Sequence, residues 1–217
     1  MKKTGFIFDL DGVIVDTAKY HYLAWRKLAN ALGFEFTQEQ NEQFKGVSRK
    51  RCLEILLEIG GIKASQEQFN KWLVEKNKDY LSLINGMDES EILPDVQKVL
   101  TLLKKHHMPI ALGSASKNAR PILEKVNLMD YFDVIVDGTH VAKAKPDPEV
   151  FLIAAEQLGV PPEDCVVFED AVAGIEAANN AGMLSIGIGE EKVLSKAKFV
   201  FGNFTEIDVK FINSLME

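Results

Sequence analysis

The chain has 217 residues, 47% apolar and 26% charged, the balance of a soluble globular protein with one sizeable core, or a core with a smaller inserted domain. Lys and Arg number 25 against 32 Asp and Glu, a formal net charge of −7, which argues against non-specific nucleic-acid binding but not against a locally positive anion site. Cys52 and Cys165 are the only cysteines, no apolar run nears the roughly 18 residues of a membrane helix, and Asp9 and Asp11 interrupt the apolar segment after Lys2 and Lys3, so a cytoplasmic protein without disulfides, membrane or nucleic-acid partners is expected.

Gly5 to Phe8 reads as a short buried strand with a polar stop at Asp9. Asp16 and Thr17 are good N-cap types for a helix with Tyr20, Leu23, Ala24, Leu28 and Ala31 at helical spacing. From there to about Asn85 only helical patterns occur, in "RCLEILLEI" and "EQFNKWLVEKNKDYLSLI", linked by "GFEF", "KGVS" and "GGIKAS". After Gly86 the texture changes. "VQKVLTLLKKH" reads as helix, "MPIALGS" as strand, "NARPILEKVNL" as helix and "FDVIVDG" as strand. "DPEVFLIAAEQLG" is a helix with Pro near its start and Gly at its end, followed by strand "CVVFED", helix "AVAGIEAANNAG" and strand "MLSIGIG". Such alternation predicts an α/β fold with a parallel sheet covered on both faces. The first strand is cut off from this series by the helical block. The expected organisation is an α/β core of residues 1–15 and 88–217 with a helical cap domain inserted at 16–87.

Ligands of open parallel sheets bind beyond the carboxyl ends of the strands. Asp9 and Asp11 follow the first predicted strand, and Ser114, Ser116, Lys117 and Asn118 follow the second. Lys143 and Lys145 come after the third, Glu169 and Asp170 after the fourth. Each has a bland reading taken singly: a turn for "DLDG", a helix cap for the serines, a surface lysine, a cap and dipole partner for "ED". Their place at four successive strand ends favours one site. Clustered carboxylates repel unless a hard cation sits among them, and Mg2+ takes oxygen ligands. The serines are expected to open a helix, where backbone N–H groups favour an anion. A cation, a lysine and an anion pocket suit phosphoryl transfer.

This constellation resembles the haloacid dehalogenase superfamily of aspartate-nucleophile phosphotransferases. "DLDG" is similar to its first motif, Ser114 to its second, Lys145 to its third and "EDAVAGI" to its fourth, and the resemblance spans essentially the whole chain. "FDLDGVIVDTAKYHYLAW", "NEQFKGVSR" and "GSASKN" resemble the sugar-phosphate mutase branch. The resemblance implies a Rossmann-like core, an isomerase interconverting the 1- and 6-phosphates of glucose through an aspartyl phosphate and a 1,6-bisphosphate, and Mg2+ as cofactor. A sugar-phosphate or other small-molecule phosphatase of the same fold is the alternative. Asp9 would be the nucleophile and Asp11 the general acid and base, with Ser114 and Lys145 balancing the transferring phosphoryl. Asp9, the Asp11 carbonyl, Glu169 and Asp170 would hold Mg2+. Gly46, Val47, Ser48 and Arg49 would meet the sugar phosphate, with Trp25, Lys76 and Cys52 near the sugar and His21 aligning the acid. Ala115, Ser116, Lys117 and Asn118 would join Arg49 at the distal phosphate. The small sugar phosphate is the expected partner, and the protein is expected to be a monomer. Cys52 stands where this branch tends to carry a serine, and "ILPDV" where a Pro-Gly turn is usual. The first implies a lost substrate contact, the second a linker of different shape.

Overall fold

The computed structural model describes residues 4–217, so Lys2 and Lys3 lie outside the described residues. Strand β1 (Gly5–Phe8) is followed by helices α1 (Ala18–Ala31), α2 (Gln38–Glu42), α3 (Arg49–Gly60) and α4 (Gln66–Ile84). Next come α5 (Val96–Lys105), β2 (Ile110–Gly113), α6 (Ala119–Lys125), β3 (Val134–Val136) and α7 (Glu149–Leu158). β4 (Cys165–Glu169), α8 (Val172–Asn180), β5 (Leu184–Ile188), β6 (Phe199–Phe201) and α9 (Val209–Met216) complete the order. The described strands pair in parallel as β3-β2-β1-β4-β5-β6, so the first strand in sequence lies in the middle of an α/β sheet.

The apolar run of β1 is continuous because both its faces are covered. Phe6 and Phe8 enter one apolar cluster and Ile7 the opposite one, all fully buried. Burying each such side chain is worth roughly 1.5–3 kcal/mol. The Phe8 ring stacks on Phe168 of β4 with centroids 4.6 Å apart. α5 turns Val96, Val99, Leu100 and Leu103 inward at helical spacing. α7 stops at Gly159, which takes the left-handed conformation at φ 69°.

α1 to α4 gather a third apolar cluster around Trp25, Phe36, Phe44, Leu53 and Leu56. At their base Ala24, Tyr80 and Ile84 join the main cluster instead. The two crossings between the helical block and the sheet run side by side. The Leu93 N–H donates to the Ile14 carbonyl and the Asp16 N–H to the Glu91 carbonyl, both at 3.0 Å. In "ILPDV", Asp95 takes φ 62°, the left-handed region that glycine adopts without steric cost and that Asp tolerates. The linker therefore makes a glycine-type turn without a glycine.

Candidate active site

Sheet register assembles the centre. Phe8 pairs with Leu112 on one side and Phe168 on the other, so the residues that follow, Asp9, Gly113 with Ser114, and Glu169, emerge together at one edge. The Asp9 N–H continues the ladder by donating to the Phe168 carbonyl at 3.0 Å. Lys145 reaches in from the loop after β3. Its amine donates to Asp9 Oδ1 at 2.6 Å, Glu169 Oε1 at 2.5 Å and the Gly113 carbonyl at 3.1 Å. Asp9, Ser114, Lys145 and Glu169 are all buried. Burial alone would discharge Lys145, but Asp9 and Glu169 outweigh it and hold its pKa above the ordinary lysine value. Removing one partner of such a buried pair typically costs about 3–5 kcal/mol.

Asp11 sits two residues on, at the mouth. Thr17 occupies the N-cap of α1 but makes no side-chain cap bond; its hydroxyl donates to Asp11 Oδ1 instead. Burial, then the charge of Asp9, pushes the Asp11 carboxyl up to about 6, with the Thr17 bond pulling the other way. His21 Nε2 lies 3.9 Å from Asp11 Oδ1, and its Nδ1 lies 3.0 Å from Lys76 Nζ. Burial, Lys76 and Arg49 hold His21 well below its ordinary pKa, so the ring is neutral. A charged Lys76 can only donate to Nδ1, which would place the ring proton on Nε2, facing Asp11.

Lys76 is buried, with its amine 4.5 Å from the Trp25 ring centroid and 4.7 Å from that of Tyr80. Burial, then Arg49, lowers its pKa to about 7. A lysine depressed in the folded state costs most where it is charged in both states, below pH 7, and the cost shrinks as pH rises toward the unfolded value. Lys76→Met should therefore raise stability at pH 6 by on the order of a few kcal/mol, and by less at pH 9. Urea unfolding at the two pH values checks this; an equal gain at both would mean that lost charge is not the cause.

One cavity of about 1240 Å³ brings the expected residues together. His21, Trp25, Cys52 and Lys76 line one side with the Gly46–Val47–Ser48–Arg49 turn. Asp9, Asp11, Lys145 and Asp170 line the other with Ser114, Ala115, Ser116, Lys117 and Asn118. Asn118 Nδ2 crosses to Asn77 Oδ1 of α4 at 3.1 Å. Gly46, at φ 69°, lets its turn approach the sheet edge, since a Cβ there would lie 2.8 Å from that of Ala171. Burial lowers the Arg49 pKa, with only the Tyr80 phenol and Cys52 thiol offsetting it.

One expectation changes, and two residues gain detail. The serines do not open a helix: α6 begins at Ala119, and the Ser114 and Ser116 hydroxyls accept from the Ser116 and Asn118 N–H groups inside the loop at 3.1 and 3.2 Å. An anion there would meet the loop rather than a helix end. Cys52 lines the cavity, but its thiol donates to the Val47 and Phe44 carbonyls at 3.6 and 3.8 Å, and burial pushes its pKa up to about 12. It is a neutral brace of the 44–47 turn. Glu169, expected at the metal, is oriented by protein donors, Lys145 on Oε1 and the Ala171 N–H on Oε2 at 2.8 Å, one bond on each oxygen.

The other expected donors are Asp9, Asp170 and the Asp11 carbonyl. Among the described residues no three His, Cys, Asp or Glu side chains form a ready metal cage. Mg2+ does not need one, because it keeps waters and uses one or two carboxylates with substrate phosphate. Burial and then the charges of Glu169 and Asp9 push the Asp170 carboxyl well above its ordinary pKa, a repulsion that a bound cation would relieve. Its Oδ2 rests in a cradle left by Gly12, where a Cβ would come within 2.1 Å. These oxygens fit a hard divalent cation. Sequence reasoning missed Thr17 as the Asp11 partner, Asn77 and Gly12; no local pattern separates a helix-capping threonine from one turned to a carboxylate.

No described helix is long and apolar enough to cross a membrane. The family profile described as haloacid dehalogenase-like hydrolase matches residues 3–182. The chain is 40% identical to a β-phosphoglucomutase of Bacillus subtilis, over 97% of this chain and 94% of that protein. It is 37% identical to a phosphorylated carbohydrates phosphatase of Thermotoga maritima, over 82% and 81%. A crystal structure of β-phosphoglucomutase from Clostridium difficile superposes with a TM-score of 0.94 at 42% identity, over 100% of this chain and 97% of that one. With the expected motifs converging on one sheet edge, the chain belongs to the haloacid dehalogenase-like hydrolase family.

Proposed function

We propose that the chain is a Mg2+-dependent β-phosphoglucomutase, a cytoplasmic monomer interconverting β-D-glucose 1-phosphate and glucose 6-phosphate. The observation that carries this reading is the charge layout of the cavity. The Asp9–Lys145 centre shares it with half-buried Arg49 and buried Lys76, two basic side chains for which no salt bridge exists among the described residues. A bisphosphate needs two anion sites, and this cavity offers a second one.

A carboxyl oxygen of Asp9 attacks phosphorus, the bond to the sugar oxygen breaks, and Asp11 gives that oxygen its proton. The sugar bisphosphate form arises when a sugar hydroxyl attacks the aspartyl phosphate, Asp11 takes the hydroxyl proton and the Asp9–phosphorus bond breaks. Lys145 and the Ser114 hydroxyl balance the transferring charge. Asp9, Glu169, Asp170 and the Asp11 carbonyl would hold Mg2+, which neutralises phosphoryl charge when bound. Residues 16–87 act as a cap over the core of 1–15 and 88–217, excluding water so that transfer to sugar outruns hydrolysis.

Phosphatase action is the second reading, supported by the Thermotoga maritima relative. The deciding assay supplies β-glucose 1-phosphate, Mg2+ and trace 1,6-bisphosphate, and separates glucose 6-phosphate from free phosphate. Dominant free phosphate would overturn the mutase reading. Arg49 sharpens the test, because a guanidinium grips phosphate bidentately. Arg49→Ala should slow mutase turnover by about 10–100-fold, the worth of one charged hydrogen-bonding group. Its phosphorylation by acetyl phosphate, which has no distal phosphate, should stay near wild type. Arg49→Lys should recover only part of the loss. Equal loss of both activities would assign Arg49 to the fold or the metal site.

A further inference from the structure

We propose that Glu149 is a positioning residue for Lys145, clamping the loop that carries it; the inference rests on the phosphoryl-transfer role given to Lys145. Between β3 and α7, residues 137–148 form neither strand nor helix, and residues 142–144 are exposed. Little apolar packing fixes this stretch, yet it delivers an amine whose side chain is 1% exposed and which makes three short contacts.

The clamp is at the first residue of α7. Glu149 Oε2 accepts from two loop N–H groups, Ala142 at 3.0 Å and Lys143 at 2.6 Å, just ahead of Lys145. Just behind it, Asp147 Oδ1 accepts from the Glu149 N–H at 3.1 Å. Asn180 Nδ2 of α8 also donates to the Pro146 carbonyl at 3.1 Å. The same helical turn supports the amine from below, with the Phe151 ring centroid 4.7 Å from Lys145 Nζ. Hydrogen bonds to an ionised acceptor are about twice as strong as neutral ones, so the Glu149 carboxylate is the firmest of these ties. Firmness matters because the partner of Lys145 changes during the reaction: Asp9 alternates between carboxylate and aspartyl phosphate. A misplacement of about 1 Å in such a group costs about 100-fold in rate.

The rival reading is an acidic residue at a helix N-terminus, which would add general stability only. Two measurements separate them. The first is the rate of aspartyl phosphate formation from acetyl phosphate, which mutase and phosphatase share. The second is acetic anhydride labelling of Lys145 relative to Lys76, also buried, on the opposite side of the cavity. Glu149→Ala should slow phosphorylation by about tenfold, the loss of charged hydrogen bonds, and raise labelling of Lys145 but not of Lys76. Glu149→Gln keeps an accepting oxygen and should recover most of both. An unchanged rate, equal labelling of the two lysines, or a Gln variant as impaired as Ala would overturn the clamp. Lys145→Ala serves as control: if it phosphorylates at the wild-type rate, the role of Lys145 has failed, and selective labelling alone then decides for or against the clamp.

Discussion

Asp9→Asn should form no aspartyl phosphate from acetyl phosphate and should show no turnover of sugar phosphate. The amide keeps the shape of the side chain and an oxygen to accept from Lys145, so the variant isolates nucleophilicity from packing. An amide is a poor nucleophile, and the neighbouring carboxylates have other tasks, Asp170 as a proposed metal donor among them. Both Glu169 oxygens are engaged, by Lys145 and the Ala171 N–H, and Asp11 is held by Thr17. Asp9→Ala should be equally inactive but less stable, because it leaves the buried Lys145 with one carboxylate instead of two. Phosphorus NMR after mixing with acetyl phosphate, alongside thermal unfolding, reads both effects. A phosphoenzyme signal in the Asn variant would move the nucleophile elsewhere.

The fold was legible because its strands are buried on both faces and so read as short apolar runs with polar stops, from Gly5–Phe8 to Leu184–Ile188. The polar stops were also the site, since parallel register carries Asp9, Ser114 and Glu169 to one edge. β6, α2 and α9 escaped, the first two for physical reasons. β6 has three residues, each only partly buried or exposed, and α2 has five, begun by a capping box of Thr37 and Gln40 in a stretch with few apolar residues. The site residues legible from sequence are those whose type is chemically costly where they stand, such as a carboxylate inside an apolar run. Thr17, Cys52 and Glu149 were opaque because their roles depend on rotamer direction: a cap-type hydroxyl turned to Asp11, a thiol turned to loop carbonyls, a helix-start carboxylate turned back to a loop. Neither composition nor period encodes that choice.

Asp11→Asn should lower mutase turnover by about 10²–10⁴-fold, the usual worth of a positioned general acid and base. Phosphorylation by acetyl phosphate should survive, because acetate leaves without a proton. The pair of assays therefore separates proton transfer from every other role of the residue. The environment supports the assignment. Burial and the nearby Asp9 charge push Asp11 up to about 6, so a useful fraction stays protonated near neutrality, while Thr17 keeps that fraction from becoming so large that the base form is lost. Neutral His21, with its Nε2 3.9 Å from Asp11 Oδ1, can follow either state without adding a charge of its own. The sign of the pH effect follows. An acid works only while protonated, so wild-type phosphorylation by the sugar bisphosphate should fall as pH rises through the Asp11 ionisation. The residual rate of the Asn variant should be flat over the same range. Mg2+ affinity should change little, since the metal donor expected at this position is the backbone carbonyl, which the substitution leaves in place. If rate and Mg2+ affinity fell together, or if acetyl phosphate and sugar bisphosphate lost rate equally, Asp11 would be a metal or packing residue and the proton would have to come from elsewhere in the cavity.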